Sequence, residues 1–197
     1  MYNIQNTAKN LLKNGISSSF VEEIADVTDE IRRLIPTGAS VAMGGSMSLK
    51  ECGATELLRG GDYKFLDRDA QNADFFLASS NAVTENGELY NVDGIGNRVG
   101  AIACGPKHVI LVCGVNKIVP DINAAVRRVK EVAAPPNAKR LGRNTYCAHN
   151  GHCAGLSGDM TDGCDCEERI CCKYLISAYQ RETGRIHVIF VNKTLGY

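Results

Sequence analysis

Hydrophobic positions along the chain switch between two periodicities, which predicts a layered α/β protein. Short apolar runs such as "ASVAM", "ADFFLASS", "KHVILVCGV" and "RIHVIFVN" have the length and composition of buried strands. Segments with apolar residues at helical spacing lie between them, for example "PDINAAVRRVKEVAA". Strands that alternate with helices favour a mainly parallel sheet with right-handed crossovers. We therefore expect one domain over residues 1–197.

Capping and breaking residues suggest where individual helices begin and end. Gly15 is expected to end a first helix over "YNIQNTAKNLLKN". A second helix is predicted over "SSSFVEEIADVTDEIRRLI", where Ser19 and Glu22 have the spacing of a capping box. The consecutive residues Pro135 and Pro136 are expected to end the helix of "PDINAAVRRVKEVAA".

The stretch "MGGSMSLKECG" marks a predicted strand-to-helix turn. Backbone N–H groups at Gly44 and Gly45, the hydroxyls of Ser46 and Ser48, and the start of the helix together predict an anion-binding site. The spacing is neither that of a P-loop nor that of a dinucleotide fingerprint. Glu51 follows at a distance that allows a role as base or nucleophile. A tight turn without a ligand, followed by an exposed glutamate, is the alternative.

Two further polar segments follow buried strands. "AVTENGELYNVDG" predicts a β-hairpin, and the loop after it carries Asp93, Asn97 and Arg98. Arg98 is predicted to hold a carboxylate or phosphate through its planar fork. Asn116 and Lys117 follow the strand "KHVILVCGV", where a lysine is able to bind an anion or take part in catalysis. The alternatives are local turn hydrogen bonds and an ordinary surface lysine.

The segment "CAHNGHCAGLSGDMTDGCDCEERICC" holds six of the nine cysteines and lies in a predicted flap over residues 144–173. Its spacing matches neither the paired knuckles of zinc ribbons nor the ferredoxin run. The N-terminus lacks the apolar core of a signal peptide, so we expect a cytoplasmic protein with reduced thiols. The odd cysteine count also argues against a complete disulfide set. Metal binding is favoured; reactive or regulatory thiols and inert cysteines are the two alternatives.

Charge and hydropathy narrow the classes of partner. The chain has 22 basic and 22 acidic residues, and a formal net charge of zero argues against nucleic acid as a main partner. The basic cluster in "AKRLGR" is interpreted as a solvated helix face. The longest apolar run, "HVILVCGV", is too short to insert into a membrane.

The three polar motifs, taken in order, resemble the lactate-utilisation (LUD) domain family. The likeness is carried by "MGGSMSLKECG", by "ADFFLASSNAVTENGELYNVDGIGNRVGAIACGPKHVILVCGVNKIV" and by the terminal "RIHVIFVNKTLGY". It implies a three-layer α/β/α fold similar to that of sugar-phosphate isomerases and CoA transferases. It also implies a role near L-lactate oxidation to pyruvate, beside iron–sulphur partner subunits.

The resemblance assigns positions but no catalytic roles. Besides the Gly-Ser turn, the residues that match the family are Asn81, Thr84, Glu85, Asp93, Asn97, Arg98, Asn116 and Lys117. The cysteines that best match a cluster in similar relatives are Cys147, Cys153, Cys166 and Cys171. The stretch between the second and third of these is longer here, so Cys164 or Cys172 is a possible substitute. The expected cofactor is an iron–sulphur cluster or zinc.

Two hypotheses of different classes follow. The first is an enzyme or enzyme subunit that acts on a small anionic metabolite, with a 2-hydroxy acid as the expected substrate. Its catalytic residues are then Glu51, Asp93 and Lys117, and the Gly-Ser turn, Asn97, Arg98 and Asn116 bind the anion. The second is a non-catalytic subunit that senses a metabolite or docks partners through the cysteine flap. A homo-oligomer is compatible with both.

Overall fold

The computed structural model describes residues 4–197 and contains two sheets flanked by helices. The helices are α1 (Ile4–Lys13), α2 (Val27–Leu34), α3 (Met47–Glu51), α4 (Ala54–Arg59), α5 (Asn97–Cys104), α6 (Ile122–Arg128), α7 (Ala134–Arg140) and α8 (Tyr146–Asn150). The strands are β1 (Ser17–Val21), β2 (Ser40–Met43), β3 (Lys64–Phe65), β4 (Phe75–Ala78), β5 (Ala82–Thr84), β6 (Leu89–Asp93), β7 (His108–Gly114), β8 (Ile118–Val119), β9 (Lys173–Ser177) and β10 (Ile186–Val191). Among these described helices, none has the length and apolar character needed to span a bilayer.

The larger sheet has six strands in the order β1-β10-β7-β4-β2-β3, and every neighbouring pair is parallel. Both of its faces are buried. Along β7, Val109 and Leu111 point into one core cluster, whereas Ile110 and Val112 point into another. The second cluster is closed by α2, α3 and α4, and the first by α1 and α5. The predicted three-layer α/β/α class with a mainly parallel sheet is therefore confirmed.

A second, smaller sheet was not predicted. It has four strands in the order β8-β5-β6-β9 and mixes parallel and antiparallel pairs. Its hairpin β5–β6 is the predicted one. Val83 and Leu89 of this sheet join the core beside α1 and α5, whereas Tyr90 packs with Val129 in a third core cluster. The small sheet therefore lies between the main domain and α6.

The helix predicted over "SSSFVEEIADVTDEIRRLI" is wrong in its first part. Residues 17–21 form the edge strand β1, and α2 begins only at Val27. Pairing with β10 supplies backbone hydrogen bonds that outweigh the helical spacing, and Ser19 bonds to the His187 ring at 2.9 Å instead of capping a helix. The capping box lies further on, between Glu23 and Asp26, at a short 3₁₀ turn.

Of the two other predicted helix ends, one is confirmed and one is wrong. Gly15 follows α1 as predicted and has a φ of 77°, a conformation that favours glycine; the predicted start at Tyr2 lies outside the described residues. Pro135 and Pro136 do not end the helix. A π-helical turn follows α6, and the prolines occupy the first turn of α7, where an N–H donor is not needed.

Candidate functional site

A pocket of about 400 Å³ opens where β2, β4 and β7 end. Its cationic lining residues are Arg68, Arg98, Lys117, Arg140 and Arg143, and Asp93 is the one acidic lining residue among the residues described. An excess of positive charge in a cleft concentrates small anions there. We call this cleft the anion pocket.

Lys117 lies on the inner wall of the anion pocket and is only 3% exposed. Its Nζ donates to Ser48 Oγ at 2.7 Å and to Ser79 Oγ at 2.8 Å. The pKa of Lys117 is lowered to about 8, mainly by burial; Arg128 and Arg98 also lower it, whereas Cys113 and Glu51 oppose the shift. The structure therefore presents an amine that is easily deprotonated.

Arg98 also lines the anion pocket, but the terminal N–H groups of its guanidinium are already hydrogen-bonded to acceptors within the protein. Its two terminal nitrogens donate to the Asn91 and Asn81 side chains and to the backbone oxygens of Ser79 and Val92. Burial lowers the pKa of Arg98. Its charge reaches the pocket, while its terminal N–H groups hold together the strand ends that shape the wall.

Asp93 lines the pocket as well, and it organises the start of α5. One carboxylate oxygen accepts from the backbone N–H of Gly94, and the other accepts from those of Arg98 and Val99. Asn97 also lines the pocket, and its side chain accepts from the Arg98 backbone. Both side chains thus act as helix-start acceptors, the local role that was the alternative to ligand binding.

The Gly-Ser turn contributes part of the pocket wall. Gly45, Ser46 and Ser48 line it, whereas Gly44 is not in the lining. A Cβ on Gly44 would lie 3.2 Å from Phe76 and 3.4 Å from Arg98, so this glycine makes room for the arginine stem. Ser46 caps α3 by accepting from a backbone N–H at 3.4 Å. This helix has only five residues, so its dipole contributes little to anion binding.

Glu51 and Asn116 do not line the pocket; they hold the C-terminal tail. Glu51 accepts from the Gly196 backbone N–H at 2.6 Å. Asn116 accepts from the Leu195 backbone N–H and donates to the Gly196 oxygen. The tail carries Tyr197 into the lining, where its hydroxyl accepts from Arg140 Nε at 2.7 Å.

Three arginines and this tyrosine were missed from the sequence. Arg140 and Arg143 belong to the cluster "AKRLGR", which was interpreted only as a solvated face; both are exposed, and both line the pocket mouth. Arg68 follows β3 in the chain and gave no local signal. Two matching family positions, Thr84 and Glu85, lie at the hairpin turn and outside the pocket lining.

The cysteine flap surrounds a second, smaller cavity. The cysteines that line it are Cys147, Cys153, Cys164 and Cys171. Cys166 lies outside the lining, 3.6 Å from the sulphur of Cys164, and Cys172 is exposed. All nine cysteines of the chain are free thiols. The structure therefore replaces one member of the predicted set, Cys166, by Cys164 in the cavity.

Burial and neighbouring thiols perturb two of the cavity cysteines. Burial raises the pKa of Cys171 to about 12, with further contributions from Cys153, Cys147 and Cys164. The pKa of Cys164 is raised to about 11, again mainly by burial. Within residues 4–197, no three His, Cys, Asp or Glu side chains converge at metal-binding distance. The four thiols share the lining of this cavity with apolar side chains, and its volume of about 20 Å³ is room for one water-sized particle.

Two cationic side chains, the buried Lys130 and the half-buried Arg169, hold the flap in place. Lys130 Nζ donates to the backbone oxygens of Gly155 at 2.5 Å, Asp159 at 2.6 Å and Gly158 at 3.4 Å. Arg169 donates to the backbone oxygens of Thr161 and Cys171.

The two cavities are adjacent. Ile170 lines both of them, and a Cβ on Gly94 in the anion pocket would lie 3.7 Å from the Ile170 backbone oxygen. Ala133 in the anion pocket and Ala134 in the cysteine cavity are consecutive residues. The two cavities therefore share part of a wall at these points.

Comparison with known proteins places the chain in a family. The LUD domain matches residues 4–191. A crystal structure of a DUF162 family protein from Deinococcus radiodurans has a TM-score of 0.54 and 17% identity, covering 96% of each chain, which shows a shared fold alone. Ribose 5-phosphate isomerase A from Methanocaldococcus jannaschii has a TM-score of 0.36 and 15% identity, covering 60% of this chain and 62% of that one, a likeness too weak to support a conclusion. No curated protein matches the chain. Since the matched domain spans nearly the whole sequence, the protein belongs to the LUD domain family, which is associated with lactate utilisation.

Proposed function

We propose that the protein is a subunit of a 2-hydroxy acid oxidation system, which binds a small carboxylate in the anion pocket and a metal centre in the cysteine cavity. The single observation that carries the proposal is the charge of the pocket, where five cationic side chains face one acid. L-lactate and pyruvate are the substrate and product that the family association suggests. Iron–sulphur partner subunits are the expected electron acceptors.

The arrangement of charge suits a small carboxylate. Arg68, Arg140 and Arg143 are exposed at the mouth and attract the anion, whereas Lys117 and Arg98 give the inner wall its positive potential. A carboxylate at the mouth is able to accept two parallel N–H bonds from an arginine fork, which also orients it. The 400 Å³ volume lies within the range of small-molecule sites.

The number and type of cysteines that line the cavity support a thiolate-bound metal, and binding would have to draw their sulphurs together, because no three of the described ligand-type side chains converge at metal-binding distance. Four cysteines complete a tetrahedral site, and both zinc and iron–sulphur centres accept such ligands. We assign Cys147, Cys153, Cys164 and Cys171 as these ligands. Zinc would stabilise the flap, and an iron–sulphur centre would exchange electrons. The water-sized space favours a single ion.

Metal content is the first test of the cavity. The protein is purified anaerobically, and metal analysis is combined with a visible absorption spectrum of the same sample. Stoichiometric iron with broad visible absorption makes the protein a redox subunit, whereas stoichiometric zinc without colour makes the metal a structural one. A protein without either metal contradicts the assignment and leaves the thiols as reactive groups.

Carboxylate binding is tested separately by calorimetry. L-lactate and pyruvate are titrated into the protein, with lactamide as a control that keeps the shape of lactate and lacks its charge. We expect the acids to bind and the amide to bind more weakly. Equal affinity for lactate and lactamide would contradict the proposal, because the cationic lining would then contribute nothing.

One observation favours a non-catalytic sensing or assembly subunit as the second candidate. Both predicted acid–base carboxylates, Glu51 and Asp93, accept hydrogen bonds from backbone N–H groups and serve the structure. Replacing Glu51, Asp93 and Lys117 by Ala, one at a time, separates the candidates. Unchanged turnover of the reconstituted complex combined with weaker assembly identifies the sensing or assembly role.

A further inference from the structure

The surroundings of the Lys117 side chain match a neutral amine. Its two hydrogen-bond partners are the hydroxyls of Ser48 and Ser79, at 2.7 and 2.8 Å. No carboxylate of the described residues forms an ion pair with it. A neutral amine has two N–H bonds and one lone pair, so two acceptors satisfy its donors and leave the lone pair free. An ammonium group would have a third N–H bond to satisfy.

Burial and two neighbouring cations favour the same neutral state. Arg98 and Arg128 face it with positive charge, and Glu51 and Cys113 are the groups that oppose them. Burial is the largest cause of the lowered pKa of about 8. At neutral pH the uncharged fraction of such an amine is about 200-fold larger than that of a surface lysine with its usual pKa. Desolvated lysines beside other cations are the ones that act as nucleophiles.

Lys130 provides a contrast within the same chain. It is 5% exposed, close to the 3% of Lys117. Its Nζ, however, donates to three backbone oxygens, which use all three N–H bonds of an ammonium group. It also lies beside the cysteine cavity and outside the anion pocket. Burial alone therefore does not distinguish Lys117; the number and type of its partners do.

We propose that Lys117 forms an imine with the carbonyl carbon of a 2-oxo acid bound in the anion pocket. This inference rests on the proposed function, because the cationic lining must first hold the carboxylate. The Nζ lone pair attacks the carbonyl carbon and forms the C–N bond. The two amine protons move to the carbonyl oxygen, the C–O bond breaks, and the oxygen leaves as water. No oxidant or reductant is consumed.

The Ser48 and Ser79 hydroxyls are placed to assist this step. Each lies within hydrogen-bond distance of the reacting nitrogen, and both line the anion pocket. A hydroxyl that accepts from Nζ is able to pass a proton on to the departing oxygen. Ser48 also donates to the Leu195 backbone oxygen at 3.2 Å, so the C-terminal tail fixes its orientation.

Reductive trapping tests the proposal. The full-length protein is incubated with pyruvate and cyanoborohydride, which supplies the hydride that reduces an imine to a stable amine, and the modified residue is located by peptide mass spectrometry. We expect one adduct per chain, at Lys117, with a rate that rises with pH towards about 8 and then levels off. Lys130 is the internal control and stays unmodified. A Lys117→Met variant, checked for folding by circular dichroism, is expected to lose the adduct.

Calorimetry with pyruvate alone distinguishes failure of the imine from failure of the pocket. If pyruvate binds and Lys117 is not labelled, the proposal of imine formation is overturned, whereas the proposal that the anion pocket binds a carboxylate is supported. If pyruvate neither binds nor labels the protein, both proposals fail. The proposal of imine formation is also overturned if the label is spread over exposed lysines and its amount does not change in Lys117→Met.

Discussion

The anion pocket and the cysteine flap lie side by side but are built in different ways. The pocket is placed at the ends of buried parallel strands, and Arg98 ties its wall together with four hydrogen bonds. The flap has one short helix, α8, and then runs without regular structure from residue 151 to residue 172. Lys130 and Arg169, together with the flanking α8 and β9, hold it.

This difference indicates how each region depends on its ligand. Strand ends fixed by the core give the pocket its shape without a bound anion, as is usual for small-molecule sites. A loop with few backbone hydrogen bonds of its own gains order from metal ligation, because the binding free energy then contributes to folding. We therefore expect ligand removal to leave the pocket intact and to loosen the flap.

The largest expected effect comes from a matched pair of cysteine variants. Cys164 lines the cavity and Cys166, two residues away, does not. We expect Cys164→Ser to lose the metal and to become sensitive to proteolysis between residues 151 and 172. Cys166→Ser is expected to keep both metal and resistance. Metal analysis and limited proteolysis of the two variants measure this, and the reverse outcome would restore the ligand set predicted from the sequence.

The next effect concerns pH and Lys117. Its pKa is about 8 in the folded protein and about 10.4 when unfolded, so the unfolded state binds more protons between these values and stability rises with pH across that window. Below pH 8 both states are protonated, and burial of the charge costs about 3 kcal/mol. Urea unfolding of the wild type and of Lys117→Met is compared at pH 7 and pH 10. We expect the stability of the wild type relative to the variant to increase by about 2 to 3 kcal/mol from pH 7 to pH 10, because the unfolded lysine is still partly protonated at pH 10.

A constant difference between wild type and Lys117→Met across the two pH values would show that the amine titrates normally. That result would also remove the electrostatic support for imine formation. The comparison with the variant cancels the contribution of other groups that titrate in the same window.

A smaller effect is expected at Lys130, which links α6 and α7 to the flap. Lys130→Met leaves three backbone oxygens without their charged donor, and we expect a loss of about 2 kcal/mol. Hydrogen exchange should locate the loss between residues 153 and 162. At pH 7 the same substitution at Lys117 is expected to stabilise the protein. Equal destabilisation by the two substitutions would mean that their partners do not matter.

Prediction from the sequence succeeded where local pattern and tertiary structure agree. Buried strands such as β7 and β10, the hairpin at Gly87 and the stop at Gly15 were all found, because apolar runs and glycine turns are local signals. The strand β1 was missed, since Phe20 fits a helical spacing and only pairing with β10 makes the segment a strand.

The candidate-site residues show the same limit: residues with a local sequence signal were predicted, and residues brought together only by the tertiary structure were not. Lys117 and the Gly-Ser turn were found because residues after parallel strands meet at one edge of the sheet. Arg68 and Tyr197 reach the pocket from distant parts of the chain, and no local pattern reveals that. Asn116 and Glu51 were identified as site residues, yet their side chains hold the C-terminal tail, a contact that only the three-dimensional structure shows.

The smallest expected effect tests the mouth of the anion pocket. Arg143 is exposed and lines the pocket, so its charge attracts the anion through solvent and contributes about 1 kcal/mol or less. We expect Arg143→Gln to weaken pyruvate binding roughly five-fold in calorimetry, and the loss to shrink at high salt. Arg127→Gln is the matched control, because Arg127 is exposed on α6, pairs with Glu131 and lies outside the lining. If both variants weaken binding equally, net charge rather than the pocket attracts the anion; if only Arg143→Gln does, the pocket mouth selects it.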